Sequence, residues 1–110
     1  MSREFQDLCS TEAEAAVEEF SFGVKLISIS QKLPFNESEA FLNVETLEGD
    51  ELCVKVSSLG FQIISKEFDL VDDKFNVKSY ETMVQLLNAQ SQLFVKKFSQ
   101  KLSEKLSLLN

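Results

Sequence analysis

Few side chains in this sequence are suited to catalysis. Its 110 residues include two cysteines and no histidine. Without an imidazole group, the chain cannot form a histidine zinc site, a serine–histidine triad or a histidine acid–base pair. Cys53 lies within a strand-like segment, so we interpret it as a small buried apolar residue rather than a nucleophile. We therefore predict a protein that is not an enzyme and that has no catalytic residues and no cofactor.

Carboxylates are numerous, but their spacing does not predict a metal site. Asp69, Asp72 and Asp73 lie close together in the sequence. Calcium needs about six to eight oxygen ligands, and the spacing of an EF-hand loop is absent here. Glu18 and Glu19 point in different directions on a helix and cannot share a proton. We interpret the aspartates as a solvated acidic loop and predict no metal.

The net charge argues against binding to nucleic acid, and the apolar pattern argues against a membrane-spanning segment. The formal net charge is −7, and the four lysines after residue 90 give little affinity for phosphate backbones. No run of about 18 apolar residues could span a membrane. The first 15 residues lack the apolar segment of a signal peptide. We expect a cytoplasmic protein with reduced cysteines.

The strongest candidate for a binding site is an apolar ridge near the C-terminus. Its members recur every three to four residues, which predicts an amphipathic helix running from about Ser91 to Leu108. Such a ridge suits docking in an apolar groove, although it would equally suit packing on a sheet. We assign Phe94 to the core. The residues assigned to partner binding are Phe98, Leu102, Lys105, Leu106 and Leu109.

A second apolar stripe lies near the N-terminus, in a helix with a possible capping box from Thr11 to Glu14. Gly23 interrupts this helix, and a strand is the preferred prediction for residues 24–30, with a continuous helix as the alternative. Ordinary packing on a sheet is the favoured interpretation of the stripe, and partner binding is the other. Its members are Ala13, Ala16, Val17, Phe20 and Val24.

Between these helices, alternating apolar residues predict three strands, at Phe41–Leu47, Glu51–Ser57 and Phe61–Phe68. An acidic connection follows, and Ser79 is the expected N-cap of a helix that includes Tyr80. The predicted fold is α+β, with an antiparallel sheet of three or four strands, one helix before it and two after it, packed on one face. We expect one domain over residues 1–110, with residues 1–9 disordered. The residues predicted to be buried are Phe20, Val44, Val54 and Ile63.

Several short strings resemble the glycogen synthase kinase-3 interaction protein family, in the same order along the chain. A related domain occurs in the much larger clustered-mitochondria proteins. The resemblance extends from about Glu12 to Leu109. The strings are Asn43-Val44-Glu45-Thr46, Phe68-Asp69-x-Val71-Asp72-Asp73, Tyr80-Glu81-Thr82 and Leu86-Leu87.

The resemblance implies a small non-catalytic adaptor that binds glycogen synthase kinase-3 through its C-terminal helix and modulates or scaffolds the kinase. Some family members also anchor regulatory subunits of protein kinase A through the early helix. Here Gly23 and Lys25 predict that such anchoring is weak or absent. The third hypothesis is an uncharacterised ligand-binding α+β domain, which a cleft with perturbed carboxylates would favour.

Overall fold

The computed structural model describes the backbone of residues 8–109 and the side chains of residues 8–106. The sheet is antiparallel throughout, with its five strands in sequential order. The elements are helix α1 (Cys9–Phe20), a 3-10 turn (Ser21–Gly23), strands β1 (Leu26–Ile29), β2 (Ala40–Glu45), β3 (Glu51–Ser57), β4 (Gly60–Ser65) and β5 (Lys78–Tyr80), and helices α2 (Met83–Gln90) and α3 (Gln92–Leu109). The predicted α+β fold is confirmed, with five strands rather than three or four.

The main core lies between one face of the sheet and the three helices. Alternate residues of the central strands supply it, because successive side chains in a strand point to opposite faces. Val44, Val54 and Ile63 are buried there together with Phe20 of α1, as predicted. Burial of each such side chain contributes about 1.5–3 kcal/mol.

The chain turns from helix to strand at Gly23, so the continuous-helix alternative is wrong. Val24 is extended, with φ −138° and ψ 164°. A Cβ atom on Gly23 would lie 2.5 Å from Cδ1 of Phe94. Any larger residue would therefore displace the Phe94 ring. Glycine allows α3 to pack closely on the end of the 3-10 turn.

Helix α1 begins earlier than predicted, and it has no side-chain cap. The backbone N–H groups of Cys9 and Ser10 donate to the carbonyl oxygens of Glu37 and Asn36, each at 3.1 Å. The loop between β1 and β2 thus satisfies the helix start, and Thr11 lies inside the first turn. The capping-box prediction was wrong because the cap comes from a distant backbone segment. The predicted disorder of residues 1–9 falls mainly outside the described residues, and Cys9 itself is buried in α1.

The segment after residue 77 forms an edge strand before α2 starts. Tyr80 pairs with Phe61 in β5, so neither Ser79 nor Tyr80 belongs to the helix. Thr82 is the actual N-cap: its Oγ1 accepts from the N–H of Gln85 at 3.1 Å, and the Gln85 Oε1 accepts from the N–H of Thr82 at 3.3 Å. Sheet pairing therefore moves the N-cap by three residues, from Ser79 to Thr82.

The other face of the sheet is crossed by the connection between β4 and β5. Asp69, which has φ 58°, accepts hydrogen bonds from Ser30 Oγ and, at 2.8 Å, from Asn43 Nδ2. Its own N–H donates to Asn43 Oδ1 at 2.9 Å. Both side-chain bonds lower the pKa of Asp69, the one from Asn43 most. Asp69 is thus a half-buried member of the predicted acidic loop, and it ties this loop to β2.

Candidate functional site

A single residue, Ser91, separates α2 from α3, and it forms hydrogen bonds to both helices. Its backbone N–H donates to the carbonyl oxygen of Leu87 at 2.9 Å, which closes α2. Its hydroxyl accepts from the N–H of Phe94 at 3.0 Å, which caps α3. The predicted start of the last helix near Ser91 is confirmed. The short link holds α3 in a defined direction relative to α2.

A second cap for α3 comes from Glu48, in the turn between β2 and β3. Its carboxylate accepts from the Ser91 hydroxyl at 2.7 Å and from the backbone N–H of Leu93 at 3.0 Å. These two bonds lower the pKa of Glu48, with the Leu93 bond as the larger cause. The sequence contains no local signal for this contact, because Glu48 and Leu93 lie 45 positions apart.

Aromatic packing fixes the first half of α3 on the domain. The fully buried Phe94 ring lies 6.1 Å from Phe20, 6.0 Å from Phe22 and 5.6 Å from Phe98, between ring centroids. The Lys101 ammonium lies 4.3 Å from the centroid of Phe22, within cation–π range. Phe94 is a core residue, as predicted. The contacts extend along α3 as far as Lys101.

Beyond Lys101, the apolar side chains of α3 that the structure describes are exposed to solvent. Leu102 is 47% exposed and Leu106 is 62% exposed. Val95, at 40% exposed, lies on the same side of the helix because it precedes Leu102 by two turns. Phe98 is half-buried and connects these residues to the core. We call Val95, Phe98, Leu102 and Leu106 the α3 stripe.

The structure brings most of the predicted binding residues together in this stripe. Lys105 is exposed beside it, one position before Leu106. Leu109 is the last residue of α3, and its side chain lies outside the described residues. Val95 was missed because the ridge was counted from Phe94, which points into the core. The spacing of Val95 from Leu102 was the available signal.

The stripe on α1 has the opposite placement. Four of its five predicted members are buried in the core, and Val17 is half-buried against it. The exposed side of α1 instead carries carboxylates. The four buried members are Ala13, Ala16, Phe20 and Val24. In the folded domain these side chains pack in the core and are not accessible at the surface.

Other groups with shifted pKa values serve the fold. Burial raises the pKa of the Cys9 and Cys53 thiols, which disfavours the reactive thiolate. The carboxylates with lowered pKa values, Glu48 and Asp69, each join two parts of the fold.

A groove of about 480 Å³ lies between α1 and the start of α2, and neither Glu48 nor Asp69 lines it. Its apolar lining includes Ala15, Ala16, Phe20, Phe61, Met83 and Val84. Among the described residues, no helix is long and apolar enough to cross a membrane.

Known proteins are similar to this sequence over nearly its whole length. The sequence model of the GSKIP domain family matches residues 9–109. The chain belongs to this family. The GSK3-beta interaction protein of Gallus gallus is 34% identical over 98 residues, which make up 89% of this chain and 70% of that protein. The GSK3B-interacting protein of Homo sapiens is 32% identical over 98 residues, again 89% of this chain and 70% of that protein. The Drosophila melanogaster protein GSKIP homolog is 36% identical over 72 residues, or 64% of this chain and 60% of that protein.

The family match confirms the resemblance inferred from the short strings. Within this GSKIP domain, three of those strings contain residues that organise the fold. Asn43 and Asp69 bond to each other across the outer face of the sheet, and Thr82 caps α2. The matched range also includes Glu48, Ser91 and all of α3.

Proposed function

We propose that this protein is a non-catalytic, cytoplasmic adaptor that binds glycogen synthase kinase-3 through α3. Two lines of support combine here. The relatives are named for interaction with this kinase. The α3 stripe offers the apolar, helical surface that a groove on a partner protein can accept. The two buried free thiols are compatible with a reducing compartment.

The observation that carries the proposal is the change of exposure along α3. Phe94 is fully buried, whereas Leu102 and Leu106, two and three turns later, are exposed. Leucines every four residues on a solvent-exposed helix have an unfavourable contact with water, which a partner can remove. Lys105 lies beside the stripe, where it can meet an acidic group at the rim of the groove.

In this mechanism the stripe enters an apolar groove on the kinase while the sheet remains outside. The protein then modulates the kinase in one of two ways. It competes with other proteins for that groove, or it holds the kinase near the proteins that the rest of the domain contacts. Neither route needs a reacting group, which agrees with the absence of histidine from the sequence.

The test compares two leucines on opposite sides of α3. Leu106 belongs to the stripe, whereas Leu93 is 41% exposed on the other side of the helix. We expect Leu106→Ala to weaken kinase binding by about 1.5–3 kcal/mol, or roughly 10- to 150-fold, and to leave the melting temperature unchanged. Leu93→Ala is the matched control, and it should bind like the unaltered chain.

Val95→Ala tests a second residue of the α3 stripe for its contribution to kinase affinity. It removes fewer atoms than a leucine truncation, so we expect a loss of roughly three- to tenfold in affinity. Titration calorimetry with purified kinase measures all three variants. Wild-type affinity in Leu106→Ala contradicts the proposal. So does a loss of about 2–5 kcal/mol in its unfolding free energy, which would place the leucine in a core.

A further inference from the structure

The projecting half of α3 depends on its anchored half to remain helical. Residues 102–109 follow the contact that Lys101 makes with Phe22, and the side chains described among them, those of residues 102–106, are all exposed. Isolated helices shorter than about 12–15 residues are marginal in water. The projecting turns are therefore ordered because they continue a helix that has already been started and fixed. Whatever fixes the start of α3 also orders the stripe.

Glu48 is well placed to fix that start. The first four N–H groups of a helix have no partner within it. Glu48 accepts from the N–H of Leu93, and Ser91 accepts from the N–H of Phe94 while donating to Glu48. The carboxylate also faces the positive end of the helix dipole. One side chain from the turn between β2 and β3 thus accepts a hydrogen bond from α3 directly and orients the Ser91 hydroxyl that accepts another.

The turn that carries Glu48 is held by its own hydrogen bonds. The N–H of Thr46 donates to the carbonyl of Asp50 at 2.9 Å, and the N–H of Gly49 donates to the carbonyl of Thr46 at 2.8 Å. The N–H of Asp50 donates to Thr46 Oγ1 at 3.1 Å. Gly49 has φ +97°, which favours glycine. The position of the Glu48 carboxylate is therefore set by β2 and β3.

We infer that Glu48 is a positioning residue for partner binding by α3. It lies about 20 Å from Leu106, because 13 residues of helix separate Leu93 from that leucine. At that distance its role is to keep the stripe helical and correctly directed before the partner arrives, so that less order must be created on binding. The inference rests on the proposed function, because it gives Glu48 a role in docking the kinase.

The experiment compares Glu48→Gln with Glu51→Gln. Both changes remove one negative charge from the same β-hairpin, and Glu51 is exposed on β3 without a contact to α3 among the described hydrogen bonds. Because the amide nitrogen of glutamine cannot accept a hydrogen bond, Glu48→Gln leaves one acceptor oxygen, without a negative charge, for the N–H of Leu93 and the hydroxyl of Ser91. Hydrogen exchange followed by NMR measures the order of α3, and calorimetry measures kinase affinity.

We expect Glu48→Gln to accelerate exchange of α3 amides and to weaken kinase binding, each by roughly three- to tenfold. Exchange at Val44 and Val54 should not change, and Glu51→Gln should match the unaltered chain in both measurements. The unchanged sheet amides distinguish a positioning role from a loss of global stability.

Three results would overturn the inference. Glu48→Gln could behave like Glu51→Gln, it could accelerate sheet and helix exchange equally, or it could loosen α3 without changing affinity. Failure of the unaltered chain to bind the kinase is a different outcome, which overturns the proposed function. The exchange data would then still decide whether Glu48 orders α3.

Discussion

Helices α1 and α3 carry similar apolar stripes in the sequence, yet the fold places them in opposite environments. The stripe on α1 packs on the sheet along the whole helix, and the stripe on α3 leaves the domain after two turns. Periodicity of about 3.6 residues identifies the apolar face of a helix. It contains no information about what covers that face. Two equally amphipathic helices can therefore serve stability in one case and binding in the other.

The way each helix is anchored explains the difference. Small side chains, Ala13 and Ala16, let the backbone of α1 approach the sheet over its length. In contrast, α3 is held at one end, where the large side chain of Phe94 packs on Gly23 and the carboxylate of Glu48 caps the helix. A helix fixed along its length has no free face for a partner, whereas a helix fixed at one end exposes the other end.

The largest expected effect tests whether the α1 stripe is purely structural. Phe20→Ala removes a buried ring that contacts Phe94, and we expect the unfolding free energy to fall by about 3–5 kcal/mol. Urea denaturation measures it, with Leu106→Ala as the exposed control, for which the change should be under about 0.5 kcal/mol. A small change in Phe20→Ala would mean that α1 is not part of the core.

Phe98 lies between the two environments, so its truncation should produce both effects. Phe98→Ala removes the ring stacked on Phe94 and also part of the α3 stripe. We expect about 1–3 kcal/mol less stability, and kinase binding roughly tenfold weaker, measured by denaturation and by calorimetry. Loss of stability alone would show that the stripe begins at Leu102.

The sequence predicts those parts of the fold whose signals are local. The bounds of β3 match the prediction, because strict alternation is bordered by turns that contain glycine. Strand β5 was missed, since three residues are too few to show a period of two. The start of α1 was missed because backbone carbonyls of a distant loop replace a side-chain cap.

The candidate site divides in the same way. Leu102 and Leu106 were found from periodicity, and both are exposed. Their part in binding stays a prediction. Glu48 could not be found, because its contacts with α3 arise only after the β2–β3 hairpin has formed beside that helix. Long-range caps of this kind have no sequence spacing that could predict them.

The two helix starts should also differ in their response to acid. Backbone carbonyls, which do not titrate, cap α1, whereas the carboxylate of Glu48 caps α3. The pKa of Glu48 is lowered in the fold, so its contribution to stability is present above the unfolded pKa and is lost as pH falls through the folded pKa. We therefore expect the N–H of Leu93 to lose exchange protection as the pH falls below the ordinary glutamate pKa, before the N–H of Ser10 does. Equal loss at both sites would contradict this, and Glu48→Gln should remove the difference.

The smallest expected effect concerns regulatory subunits of protein kinase A, which we expect not to bind. A regulatory-subunit dimer needs an exposed apolar helix face, and the face of α1 is covered by the sheet in the folded domain. We expect no binding of the intact domain at micromolar concentrations in calorimetry with purified regulatory subunits. A peptide spanning residues 10–30 should also bind weakly or not at all, because Gly23 disfavours a continuous helix and Lys25 adds a charge near the apolar face. Micromolar or tighter binding by the intact domain would mean that α1 leaves the sheet, and the contrast between the two helices would then be lost.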